Sequence, residues 1–221
     1  MVAIPRLSFY LGHQLQDEYK RLIQNVLDYL LTCLLPVVCG LLIPAQPIML
    51  IVGGSEYGKG AIPLSILSVA LLFASLACLF SSGVLLRYKR DNVYLMATVI
   101  SCLVNVGSNF IMIPLWGYNG AALTTLMAKI IMFFMSAYYS FKDHLRLKDF
   151  VTHDHVLVSS FCGSALILVV GTIVQSLFHN ILLQLLGTFG IGIIVYMIVL
   201  ALFKNPLLLS LIDRLKLKFL R

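Results

Sequence analysis

The chain has 221 residues, of which 60% are hydrophobic and 11% charged, with a formal net charge of +7 and a mean hydropathy of +0.98. A water-soluble domain cannot hide that much apolar surface, and the long unbroken apolar runs exclude a β-barrel, whose strands alternate polar and apolar residues over about ten positions. The class is a polytopic helical membrane protein, and in that class the basic balance is a matter of orientation in the bilayer, so no nucleic-acid partner is expected.

Residues 1 to 12 form a short apolar piece with Pro5 and Arg6, closed by Gly12, and residues 13 to 21 are polar. Residues 1–21 read as a cytoplasmic N-terminal or inter-lobe segment. Leu15, Tyr19, Leu22, Val26 and Tyr29 recur at helical spacing and mark one face of an amphipathic helix, with Asp17 and Arg21 four apart as an exposed pair. That helix runs into the first span, 22–43, which carries Pro36 and Gly40 and is broken by Pro44 and Pro47. Ile48 to Val52 is too short to cross a hydrocarbon core that needs about 20 apolar residues, and Gly53 to Gly58 reads as a loop.

The second span, 61–86, has no charge between Lys59 and Arg87, and a basic turn from Arg87 to Asp91 follows. Spans three (92–115) and four (121–141) carry no charge from Asn92 to Ala128 and are joined by Trp116-Gly117-Tyr118-Asn119-Gly120, with aromatics where a water–lipid boundary places them. Lys142 to His155 is a charged loop. No Asp, Glu, Lys or Arg then occurs before Lys204, which leaves room for spans five (156–178) and six (181–203) around His179-Asn180. Residues 22–203 are thus expected to form one six-helix transmembrane lobe. Residues 204–221, with Arg214, Lys216, Lys218 and Arg221 among Leu, Ile and Phe, read as a cytoplasmic interfacial amphipathic tail.

Six spans gather all but two of the 16 Lys and Arg on one side; the exceptions are Lys59 on the far side and Lys129 inside span four. The positive-inside rule then predicts both termini in the cytoplasm, and five or seven spans scatter the same charges. Cys33, Cys39, Cys78, Cys102 and Cys162 all lie in apolar runs without a CxxC or His/Cys cluster, so neither a disulfide nor a zinc site is expected. His153-Asp154-His155 lacks further ligands. The chain carries no GxSxG, HExxH, Walker loop or dinucleotide fingerprint, and neither an enzyme nor a cofactor is expected.

Several motifs resemble those of one family. Pro5-Arg6-Leu7-Ser8 with Tyr10-Leu11-Gly12, Glu18-Tyr19 with Leu22, Leu35-Pro36 with Gly40, Gly53-Gly54 with Tyr57, Ile113-Pro114 with Gly117, and Asn119-Gly120-Ala121-Ala122 stand in the order seen in the oligosaccharide flippases of bacterial polysaccharide biosynthesis. These belong to the superfamily of multidrug, oligosaccharidyl-lipid and polysaccharide exporters. The likeness covers about residues 1–145. It implies a two-lobe carrier of 12 to 14 spans, of which this chain resembles the C-terminal lobe alone, so a truncated or split reading frame is expected. It further implies transport of polyprenyl-diphosphate-linked oligosaccharides across the cytoplasmic (inner) membrane, by alternating access with a second lobe from a missing N-terminal half, a companion chain or a homo-oligomer. The expected partners are membrane lipids and the lipid-linked oligosaccharide. Two other functions remain open: half of a cation-coupled multidrug exporter, and a non-transporting scaffold subunit.

Four places bear on those functions. Ser101, Asn105, Ser108 and Asn109 share one face of span three, as a hydrated cavity wall or as helix–helix hydrogen bonds. Lys129 lies near the middle of span four, where a charge costs several kcal/mol, as a cation for a lipid diphosphate or a gating ion pair, or as a snorkelling or structurally paired lysine. Asp28 continues the polar face of Arg21, Gln24 and Asn25, as an interface residue or a lumen carboxylate. Arg6, in its Pro-Arg-Leu-Ser setting, is placed to touch a phosphate of substrate or of lipid.

Overall fold

A computed structural model describes residues 3–143, 154–205 and 208 of the chain. Its elements are α1 (Ala3–Gly12), α2 (Gln16–Leu42), α3 (Ala45–Gly53), a 3-10 turn (Ser55–Gly60), α4 (Ala61–Cys78), a π-helical continuation of α4 (Leu79–Leu85), α5 (Asp91–Trp116), α6 (Tyr118–Asp143), α7 (Asp154–Leu177) and α8 (Ile181–Leu202). There is no strand among the described residues. Among the described residues six helices are long and apolar enough to cross a membrane: α2, Ser55–Leu85, α5, α6, α7 and α8. The fold class is therefore all-helical and multi-spanning. The interfacial tail expected over 204–221 and the charged loop lie largely outside the described residues.

Ile48 to Val52, read as too short to cross, lies in the short helix α3, and the loop expected over Gly53 to Gly58 is a 3-10 turn over Ser55–Gly60. Pro47 falls in the first turn of α3, where a missing N–H interrupts no hydrogen bond, and the Ile48 amide reaches the Pro44 carbonyl at 2.8 Å. Three helix ends turn on residues other than glycine. Gln14, Lys89 and Lys204 have φ of 59°, 57° and 49°. The following amides, Leu15, Arg90 and Asn205, each bond a carbonyl five residues back, at 2.9 Å. That is the Schellman pattern, which usually selects glycine.

The chain divides into two compact units, Met1–Leu30 with Ile62–Thr152, and Leu31–Ala61 with His153–Arg221. In the first, α2 buries Tyr19, Ile23 and Leu27 rather than the face through Leu15 and Tyr29, both of which are exposed. The stripe is rotated because Tyr19 Oη donates to the Gly83 carbonyl of the π segment at 2.7 Å, and Leu7 and Ile23 pack around that glycine. Arg21 pairs with Glu18 at 3.7 Å rather than with Asp17, in an exposed contact that contributes little. Phe80 joins the π segment to α6 through Phe133 and Phe141, at centroid distances of 5.9 and 5.5 Å.

In the second unit α7 and α8 form a hairpin whose Ile167, Tyr196 and Leu200 cluster with Cys39, Ile43 and Leu208. Gly163 and Gly171 permit the approach: a Cβ on either would lie 2.6 Å from the Tyr196 ring or from Ile43. Gly187 likewise sits against Val174, whereas Gly190 has open space around it.

Candidate functional site

The α5–α6 hairpin is set by two glycines. Gly117, at φ 56° and ψ −133°, occupies a region essentially closed to other residues, and its amide ends α5 by bonding the Ile113 carbonyl at 2.7 Å. A Cβ on Gly120 would overlap the Met112 carbonyl oxygen, so the two backbones touch there.

This closeness brings the polar face of α5 onto α6. Ser101 Oγ donates to the Ala128 carbonyl at 2.9 Å. Asn109 Nδ2 donates to Asn105 Oδ1 at 3.3 Å, and Thr124 Oγ1, fully buried, bonds Asn109 Oδ1 at 2.5 Å. Ser101, Asn105 and Asn109 are therefore brought together as a hydrogen-bonded ladder between two spans. Asn109 also borders an open cavity of about 330 Å³ with Val106, Phe110, Ile113 and Pro114. Lys129 follows Ala128 directly and is exposed on α6, near the middle of the span.

The other two candidates stand on other elements. Asp28 is on α2 and is 5% exposed, so its carboxyl is packed inside the protein. Arg6 is exposed on α1, between residues that hold that helix in place: Leu7 is 1% exposed, and the Ser8 hydroxyl accepts a 2.6 Å bond from Arg87.

Several residues that organise the site were not singled out by the sequence. Arg87, which belongs to the basic turn, bridges α1 to the π segment, since its Nε also donates to the Ser82 carbonyl at 3.1 Å. Thr124 completes the ladder. Tyr196 reaches the backbone of α2. Among the described residues no group of three His, Cys, Asp or Glu forms a metal cage, and His153 lies outside them.

Six apolar spans among the described residues, two of them joined by a hydrogen-bonded polar ladder, define a multi-pass helical membrane protein. The profile of the lipid II flippase MurJ family matches residues 1–199, and the chain belongs to that family. The solved structure of a lipid II flippase MurJ in an inward closed conformation matches with a TM-score of 0.72 at 21% identity, over 94% of this chain and 43% of that one. The chain thus spans less than half the length of that structure. No curated protein matches it. The flippase resemblance read from the sequence holds at the level of the flippase family, while the branch that matches is the lipid II one. That family is one of lipid carriers and not of enzymes.

Proposed function

We propose that this chain supplies one lobe of a flippase that moves a polyprenyl-diphosphate-linked saccharide across the cytoplasmic membrane, and that Lys129 meets the diphosphate. Family membership over residues 1–199 supports lipid II as the substrate; the motif resemblance supports an oligosaccharide repeat unit. The observation that carries the site is Lys129 itself. An ammonium exposed at mid-span is tolerated only beside water or an anion, and a diphosphate is an anion that arrives at that depth during flipping. The ladder beneath it fixes α6 so that the lysine projects from a rigid hairpin. Arg6 is proposed as a second phosphate contact at the cytoplasmic end and Asp28 as a structural carboxylate of α2. A second six-helix lobe completes the cavity, with both termini of this lobe in the cytoplasm. It comes from a longer polypeptide, a companion chain or a second copy.

The test is a reconstitution in vesicles containing either lipid II or a polyprenyl-diphosphate oligosaccharide, with the companion lobe supplied. Lipid II is expected to reach the opposite leaflet, and Lys129→Gln is expected to slow it by about tenfold or more, as loss of a hydrogen bond to a charged group does. Movement of the oligosaccharide alone assigns the other branch. Movement of neither, or a Lys129→Gln rate equal to the parent, overturns the reading.

A further inference from the structure

Pro36 lies inside α2, so the carbonyl four residues earlier, that of Thr32, loses its regular amide partner. In a membrane such an orphan must be met by another group. It is met by a residue 164 positions away: Tyr196 Oη of α8 donates to the Thr32 carbonyl at 2.5 Å. The Tyr196 ring is only 7% exposed and lies on Gly163, where an added Cβ would come within 2.6 Å of it. Thr32 Oγ1 adds a 3.2 Å bond to Ser160.

The same hairpin serves a second orphan. The Ile43 carbonyl lies just past the last residue of α2, where a helix leaves carbonyls without an intrahelical partner, and Gln175 Nε2 of α7 donates to it at 2.6 Å. Between these two anchor points α2 carries Gly40 and borders a cavity of about 270 Å³ with Pro36, Val37, Leu41, Thr188 and Tyr196. Thr188 is 2% exposed, and its hydroxyl has no hydrogen-bond partner among the described residues.

We propose that α2 carries a hinge over Pro36–Gly40 and that the Tyr196 hydroxyl is its lock. The proline removes the bond that would stiffen the helix, the glycine removes bulk one turn later, and the adjoining cavity is space into which that turn can move. One hydrogen bond from α8 holds it in the observed position. When that bond opens, the carbonyls of the moving turn come toward the Thr188 hydroxyl, which is unengaged in the locked state. The use of this hinge in a transport cycle rests on the flippase reading, whereas the lock is a property of the chain alone.

The lock is tested by a double-mutant cycle on the whole chain in lipid nanodiscs without substrate, reading amide exchange across residues 33–42 and the thermal midpoint. Tyr196→Phe keeps the ring and removes the donor. It is expected to speed exchange in that stretch about tenfold, the effect of losing one hydrogen bond. Gly163→Ala, which displaces the ring, is expected to do the same. In a Pro36→Ala background the residue-36 amide takes the Thr32 carbonyl, and the Tyr196→Phe effect should fall to twofold or less. An equal effect in both backgrounds shows that the tyrosine acts by packing and overturns the lock, as does unchanged exchange in Tyr196→Phe. If the cycle behaves as expected while the vesicles show no flipping, the lock stands and the flippase reading falls.

Discussion

At the scale of single residues, the sharpest constraint is backbone against backbone at Gly120. The atom that a Cβ would meet is the Met112 carbonyl oxygen, which cannot swing aside as a side chain does. Gly120→Ala must push α5 and α6 apart, and overpacking of that kind costs about 1–3 kcal/mol or more. Thr124→Val removes one rung of the ladder and leaves the helices in place. Its expected cost is about 0.6 kcal/mol, the typical worth of a hydrogen bond between membrane helices. Thermal midpoints of the two variants in detergent should rank in that order, with Gly120→Ala clearly lower. The reverse order would mean that polar bonding, and not close approach, holds the hairpin.

At the scale of elements, Arg87 is the joint between α1 and the π segment. Its guanidinium spans two acceptors, Ser8 Oγ and the Ser82 carbonyl, which a lysine's compact ammonium cannot match in geometry. Arg87→Gln is expected to raise amide exchange in residues 5–12 severalfold while leaving α5 and α6 unchanged, and Arg87→Lys is expected to rescue it only in part. Full rescue by lysine would show that charge alone, facing lipid phosphate, is what the position needs. The left-handed helix ends bear on stability in the opposite direction. Gln14 holds φ 59° at the strain that any side chain carries there, so Gln14→Gly should raise the stability by about 1 kcal/mol, read as a slightly higher thermal midpoint. Neither feature was legible in the sequence. The π segment in LFSSGVL meets a partner 64 residues away, Tyr19, and the Schellman turn on Gln14 lacks the glycine that normally marks one, so neither leaves a local signature.

At the scale of the whole molecule, the lipid imposes the pattern. A span must satisfy its own backbone and present apolar side chains outward, so hydropathy alone located six helices, and residues such as Phe110, 78% exposed, stay on the outside. Function is less legible, because the polar stripe of Ser101, Asn105 and Asn109 reads identically as a cavity wall or as a seam, and only the geometry shows the bonds to α6. The Tyr196 contact was hidden by sequence distance, although Pro36 announced that a donor was needed somewhere. The six-span reading of the sequence predicts that the turn after Leu86, the loop after Phe141 and both chain ends share one side with nearly all of the Lys and Arg, with Lys59 on the other. A phosphatase that is active only outside the cytoplasm should therefore be active when fused after Trp116 or Phe178 and silent after Arg90. Activity after Arg90 with silence after Phe178 would invert the lobe. Arg6 would then lie on the outer surface, and the lobe could not receive a substrate built in the cytoplasm through the end proposed here.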